Sequence, residues 1–265
     1  SVCWANVMSS CNYFPRAEGL SPRRCTFAQK YVLKLEPWQE PYAEGKVLLI
    51  NKPLHWTSFD AVKKIRILTG ISKVGHAGTL DPLATGLLII CTGKFTKKIN
   101  EYMAREKEYT GHFTLGAVTP TYDLESEPTD HKPYAHITPE EIREAAARFT
   151  GEIEQVPPLH SAIKKDGKPA YLSARKGREL KLDPRKVNIP VFEITRVELP
   201  VVYFRVLCST GTYIRSLAYD MGQALGCGAY LSSLCRTRIG EFKLEDAMDL
   251  KAFEENLKQE KSAAR

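Results

Sequence analysis

The chain has 265 residues, of which 43% are hydrophobic, and its formal net charge is +7 at pH 7. A chain of this length and composition buries a sizeable core, which excludes a protein dominated by disordered tails. No apolar run approaches the ~20 residues that a membrane-spanning helix requires, so we expect no membrane association. The seven cysteines form no C-x-x-C pair and the six histidines lack metal-ligand spacing, which favours reduced thiols in a cytoplasmic protein.

The start of the chain differs in character from the rest. Residues 1–43 form a leader of unassigned role, with no clear helical periodicity and no basic stretch followed by an apolar one. We expect a globular domain over residues 44–250, followed by a charged tail over residues 251–265.

Hydrophobic periodicity predicts three helices along this domain. The first begins at Thr57 and Ser58, the second follows the capping pattern Thr138-Pro-Glu-Glu141, and the third spans residues 212–225. Strands are predicted within residues 45–53, 87–91, 109–116 and 201–208. Because strands and helices do not alternate regularly, we predict an α+β fold with a mixed, largely antiparallel central sheet flanked by helices and loops.

The densest group of special residues lies between the first helix and the second strand, in Gly75-His-Ala-Gly-Thr-Leu-Asp-Pro-Leu-Ala-Thr-Gly86. Three glycines and a proline fix the backbone path around a single carboxylate, Asp81. Such a loop presents one acid rigidly, as a catalytic site requires. An aspartate in a turn of this kind also commonly serves only as a local cap, so the local pattern leaves both interpretations open.

A basic stretch lies between His160 and Pro190, which contains nine Lys or Arg residues and three acidic residues. Such a stretch supplies sequence-independent affinity for phosphates and indicates a nucleic-acid-binding segment, although a solvated charged loop has the same composition. The candidate contact residues are Lys164, Lys165, Lys168, Arg175, Lys176 and Arg178.

The loop around Asp81 closely resembles the signature of the TruB-type tRNA pseudouridine synthases. Other family-like stretches occur along the chain: Asn51-Lys52-Pro53, Glu106-Lys-Glu-Tyr109, Cys208-Ser-Thr-Gly-Thr-Tyr-Ile-Arg215, and Gly226-Cys-Gly-Ala229 with Leu234 and Arg236. The resemblance spans roughly residues 45 to 250. It implies the pseudouridine synthase fold, of the bacterial type without the C-terminal PUA domain that many members carry.

The resemblance implies a cofactor-free isomerase that converts the uridine at position 55, in the T-arm of tRNA, to pseudouridine. The target base must first be flipped out of its stack. Asp81 would then be the catalytic aspartate, Tyr109 would stack on the base, and Arg215 would pair with Asp81.

Further positions follow from the same resemblance. Tyr213 and Leu234 would line the pocket, and His76 would lie where the nucleotide leaves the RNA stack. Lys52 would support the loop of Asp81 and is a candidate substrate-binding residue. The basic stretch over residues 160–190 corresponds to the family's RNA-gripping insertion.

Two other interpretations remain open at this point. In an aspartyl-phosphate phosphotransferase Asp81 would accept the phosphoryl group, but no D-x-D motif flanks it to hold Mg²⁺. A non-catalytic RNA-binding protein or tRNA chaperone would use the basic stretch alone. We expect the T-arm stem-loop of tRNA as the partner, with no metal or other cofactor and no obligate protein partner.

Overall fold

The computed structural model describes residues 35–159, 161, 164–165, 168–169 and 182–264. The helices in these ranges are α1 Glu40–Glu44, α2 Ser58–Thr69, α3 Ile99–Met103, α4 Pro139–Arg148, α5 Ile214–Ala224 and α6 Leu250–Ala263. The strands are β1 Val47–Lys52, β2 Val74–His76, β3 Ala84–Thr92, β4 Lys107–Leu115, β5 Gly151–Gln155, β6 Lys164–Lys165, β7 Lys168–Pro169, β8 Arg185–Ile189, β9 Val191–Glu198, β10 Val201–Cys208, β11 Ala229–Ile239 and β12 Phe242–Lys243.

A sheet of eight strands forms the centre of the fold. The main path runs β1-β3-β11-β4-β10-β9, with β2 beside β3 and β12 beside β11. Strands β3 and β11 are parallel, and the other neighbours in this sheet are antiparallel. The predicted α+β fold with a mixed, largely antiparallel sheet is therefore confirmed.

Helices bury their apolar stripes against this sheet in two separate clusters. Val62 on α2 and Phe253 on α6 pack with residues of β1 and β3. Ile142 on α4 and Leu217 on α5 pack with residues of β4 and β10. Because successive strand residues point to opposite faces, alternate side chains of β3 pack in the first of these clusters and in a third cluster on the other face of the strand. Within the described ranges, no helix combines the length and apolarity needed to cross a bilayer.

The packed fold extends beyond the predicted bounds at both ends. The segment predicted as a charged tail is the helix α6, which buries Phe253 and Leu257 in the core. On the other side, α1 lies before the predicted domain start and buries Tyr42, whose hydroxyl donates to Glu260 on α6 at 2.9 Å. The two ends of the described chain thus pack against each other as well as against the sheet.

Gly86 lies opposite Arg236 in the pairing of the parallel strands β3 and β11. Its φ is +104°, and a Cβ atom at this position would lie 2.4 Å from the carbonyl oxygen of Arg236. The same pairing continues back to Ala84, three residues after Asp81. A glycine is therefore required here both for the backbone conformation and for the strand contact that follows the Asp81 loop.

We expect Gly86→Ala to lower the free energy of unfolding by about 1–3 kcal/mol more than Gly151→Ala does. Gly151 has a similar φ of +91°, but no atom lies within 4 Å of its Cβ position. Both variants carry left-handed backbone strain of about 1–2 kcal/mol, and Gly86→Ala adds a clash with the backbone. Urea unfolding followed by circular dichroism measures both losses. Equal losses would contradict the importance of close strand packing at Gly86.

Candidate active site

A cleft of about 270 Å³ opens where the loop carrying Asp81 meets the start of α5. Its walls come from this loop, from β4 and β11, and from the turn between β10 and α5. The lining residues are Gly78, Thr79, Leu80, Asp81, Met103, Lys107, Tyr109, Ser209, Thr210, Gly211, Thr212, Tyr213, Ile214, Arg215, Leu234 and Arg236. Segments distant in sequence therefore converge on one carboxylate.

Asp81 and Arg215 form an ion pair in which the guanidinium faces both oxygens of the carboxylate. Arg215 Nε lies 2.9 Å from Asp81 Oδ2, and Nη2 donates to Oδ1 at 3.3 Å. The arginine side chain is 6% exposed, whereas that of the aspartate is 36% exposed. A buried planar guanidinium thus fixes the orientation of a carboxylate that still reaches the cleft.

Arg215 also contacts two further residues. Its Nη1 donates to the carbonyl oxygen of Thr121 at 3.2 Å, and its Nε lies 3.6 Å from Oδ2 of the buried Asp123. Both residues belong to the irregular connection between β4 and α4. The guanidinium therefore keeps its position through contacts that do not involve the cleft carboxylate.

The loop that carries Asp81 is anchored from two sides. Ser58, at the start of α2, accepts a hydrogen bond from the backbone N–H of Leu80 at 2.8 Å. Arg236 on β11 is fully buried and donates through Nη2 to the carbonyl oxygen of Gly78 at 3.2 Å. These contacts restrict the backbone on the side of the loop that precedes the aspartate.

Two tyrosines line the cleft beside the ion pair. Tyr109 on β4 is almost completely buried, and this burial raises the pKa of its phenol, so the ring is neutral at physiological pH. Burial also raises the pKa of Tyr213. Both side chains therefore offer an apolar ring face rather than a charge.

Helix α5 begins at Ile214, two residues later than predicted. Thr212 does not cap it, because its hydroxyl donates to the carbonyl oxygen of Ser209 at 3.0 Å and closes a turn. The buried Gln155 satisfies the helix start instead. Its side chain accepts from Tyr213 N at 2.7 Å and donates to Tyr213 O at 3.0 Å. The turn over residues 209–212 therefore does not cap the helix, and its residues line the cleft.

Of the other predicted substrate-contacting residues, Leu234 lines the cleft, while Lys52 and His76 are not among its lining residues. Lys52 is fully buried and donates to the carbonyl oxygens of Pro53 at 2.8 Å and Trp56 at 2.6 Å. Lys52 thus holds the turn before α2 instead of facing the cleft. His76 lies on β2, where burial lowers the pKa of its imidazole.

The basic stretch is described in part. Lys164 and Lys165 form β6, which pairs antiparallel with Lys168 and Pro169 of β7 as a short hairpin. The predicted contact residues at 175, 176 and 178 lie outside the described residues.

Three charged residues at the site were not predicted as site residues. Arg236 lines the cleft from β11, although the sequence analysis placed it only in a family-like stretch. Asp123 has no recognisable motif around it, so only the folded connection after β4 reveals its contact with Arg215. Lys107 lines the cleft from the first position of β4, within the family-like stretch that ends at Tyr109. The two-residue period of β4 could have identified Lys107, because residues 107 and 109 lie on the same face of the strand.

Comparison with known proteins identifies relatives along nearly the whole described chain. The family model "TruB family pseudouridylate synthase (N terminal domain)" matches residues 66–214, and "tRNA pseudouridylate synthase B C-terminal domain" matches residues 215–265. The tRNA pseudouridine synthase B of Flavobacterium johnsoniae is 55% identical over 225 residues, covering 82% of this chain and 98% of the relative. That of Phocaeicola vulgatus is 51% identical, covering 83% and 96%.

Solved structures of similar fold include chains of larger assemblies. A chain of a Cbf5-Nop10-Gar1 complex matches with a TM-score of 0.64 and 30% identity, over 84% of this chain and 58% of that chain. A chain of an H/ACA RNP bound to a substrate RNA containing 2'-deoxyuridine matches with a TM-score of 0.64 and 28% identity, over 84% and 56%. The present chain therefore spans less than two thirds of either matched chain.

Proposed function

The chain belongs to the TruB family and is a tRNA pseudouridine synthase, and we propose that its target is the uridine at position 55 in the T-arm of tRNA. The observation that carries the proposal is the ion pair of Asp81 and Arg215 at a cleft bordered by neutral aromatic rings. Free thiols at Cys91, Cys208, Cys227 and Cys235 support a cytoplasmic location.

The reaction requires a carboxylate in a pocket that encloses a single base. The bond from ribose C1′ to uracil N1 breaks, the base turns, and C5 joins C1′ in its place. The proton lost from C5 is balanced by the one gained at N1, so the reaction needs no oxidant or second substrate. We assign the initiating role to Asp81, because it is the one carboxylate among the cleft-lining residues of the described chain.

The remaining side chains have roles that match their positions. Tyr109 stacks on the flipped base, since an aromatic face replaces the stacking that the base loses when it leaves the RNA. Arg215 orients the carboxylate of Asp81, and Tyr213 and Leu234 close the pocket around the ring. For His76 we retain the proposed position beside the departing nucleotide.

Incubation with an unmodified tRNA transcript, followed by chemical mapping of pseudouridine, tests the proposed function. We expect one modified site, at position 55, and no product in a transcript in which that uridine is replaced by cytidine. Modification at another position would contradict the assigned substrate site. Tight binding without isomerisation would favour the tRNA chaperone interpretation.

The basic hairpin provides a second test. We expect a smaller salt dependence of tRNA binding in a variant with Lys164, Lys165 and Lys168 replaced by glutamine. The slope of the logarithm of the binding constant against the logarithm of the salt concentration should fall by about 2, at about 0.7 to 0.9 for each lost phosphate contact. The single-turnover rate at saturating enzyme should change little, because these residues act before the base is flipped. An unchanged slope would identify the hairpin as a solvated loop, and a collapsed rate would assign it to the active site.

A further inference from the structure

Lys107 is a buried cation on the wall of the cleft. Only 6% of the residue is exposed, and its Nζ donates to the carbonyl oxygen of Met103. In the described part of the chain, no carboxylate oxygen lies within 4.0 Å of this nitrogen. An ammonium group has three donors, so a single carbonyl leaves most of its capacity for hydrogen bonding unused.

The other buried cations in and near the site have more hydrogen-bond or ion-pair partners than Lys107 has. Arg215 is paired with Asp81, and Arg236 donates to several carbonyl oxygens of the neighbouring loop and strand. Lys52 donates to two carbonyl oxygens and does not line the cleft. Lys107 thus differs from all three, because it lines the cleft and its ammonium group has only one carbonyl acceptor among the described residues.

The electrostatics of the cleft favour an incoming anion. Its charged lining residues are three cations, Lys107, Arg215 and Arg236, and one carboxylate, Asp81, which is already paired with Arg215. Burial lowers the pKa of Lys107 to about 8, so the ammonium form still predominates at neutral pH. Burying an ammonium without a counter-charge costs several kcal/mol. A negatively charged ligand would remove that cost in the complex.

The wall next to Lys107 suits a sugar-phosphate chain. It is formed by the turn over residues 209–212, in which Thr210 is exposed and Gly211 has no atom within 4 Å of its Cβ position. Backbone and hydroxyl groups border the cleft there, and no bulky side chain fills the space in front of the glycine. This end of the cleft therefore has room for a backbone strand beside the base pocket of Asp81 and Tyr109.

We propose that Lys107 binds a phosphodiester group next to the flipped uridine and so holds the nucleotide in the cleft. The inference rests on the proposed function, because it requires that the cleft receives a uridine from RNA. Lys107 is accordingly a substrate-binding residue, which acts on the backbone of the RNA while Asp81 acts on the nucleoside.

The variant Lys107→Met removes the charge but keeps the length and the buried aliphatic chain. We expect its unfolding temperature without RNA to be equal to or above that of the unsubstituted protein, because an unpaired buried charge is lost. Its second-order rate of conversion of tRNA should fall about 10- to 100-fold, as for a hydrogen bond to a charged group. Lys251→Met, on the exposed surface of α6, carries the same change in net charge and is the matched control. Equal losses in both variants would overturn the proposal, as would a large drop in stability of Lys107→Met with an unchanged conversion rate.

A synthetic T-arm stem-loop with a neutral methylphosphonate at one linkage beside the target uridine identifies the contact. For one of the two flanking linkages, we expect the neutral group to slow the unsubstituted protein about 10- to 100-fold and to leave Lys107→Met unaffected, because the two changes remove the same interaction. Additive losses at both linkages would overturn the assignment of Lys107. If the unsubstituted protein fails to isomerise the unmodified stem-loop, the proposed function fails instead.

Discussion

Asp81→Asn is expected to reduce the single-turnover rate of pseudouridine formation by at least about 10³-fold, as for the loss of an essential catalytic group. The amide has nearly the same shape as the carboxylate but cannot supply its charge. Affinity for tRNA should stay within a few-fold, because one charge contributes little to a contact dominated by basic residues. Rapid-quench assays with enzyme in excess, together with equilibrium binding, measure the two quantities separately.

The fold should tolerate this change because Arg215 keeps its contacts with Asp123 and Thr121. Asp130→Asn is the matched control: it makes the same change at an exposed position whose φ of +52° suits asparagine equally well. We expect the control to retain full activity. If Asp81→Asn keeps even a tenth of the unsubstituted rate, Asp81 has no part in the chemical step.

Local signals were sufficient for several elements of the fold. The capping pattern at Thr138 predicts α4, and a run rich in branched residues predicts β10 at its observed bounds, Val201–Cys208. In the same way the glycines around Asp81 predict an irregular loop. Each of these signals depends on neighbours within a few residues, so no knowledge of the tertiary structure is needed to interpret it.

The central strand β11 could not be predicted from its pattern. Its pairing with β4 shifts register between Leu231 and Ser233 and again between Arg236 and Arg238. These bulges interrupt the two-residue period that identifies a strand. Arg236 is also fully buried, which composition alone argues against. Its burial is explained by carbonyl acceptors contributed by chain segments about 150 residues away.

The C-terminal helix α6 is the opposite case, because the sequence does contain a pattern that predicts it. Leu250, Phe253 and Leu257 follow the helical spacing of three and four residues, and Asp249 caps the helix by accepting from Ala252 N. The many charged residues between them favoured the interpretation as a tail. Spacing is thus a better guide than composition for a helix with a narrow apolar stripe.

Arg215→Lys is expected to lower the single-turnover rate by about 10²- to 10³-fold although the formal charge is unchanged, a loss comparable to removing one preorganised donor from an active site. The guanidinium contacts both oxygens of Asp81 while also donating to the carbonyl oxygen of Thr121. A lysine ammonium is a compact, strongly hydrated charge that cannot reproduce this planar fork. The carboxylate would then lose its fixed orientation. Binding of tRNA should remain within a few-fold, so the loss should lie in the rate at saturating enzyme.

Arg205→Lys is the matched control for this prediction. Arg205 on β10 also bridges two carboxylates, Glu108 and Glu193, each at 3.1 Å, but its side chain is 38% exposed. Exposed ion pairs contribute about 0–1 kcal/mol, so we expect this variant to keep the unsubstituted rate. The comparison separates a general requirement for arginine in carboxylate pairs from a specific one at the cleft. If Arg215→Lys turns over at the unsubstituted rate, the fork has no part in orienting Asp81, and the positive charge of residue 215 is sufficient.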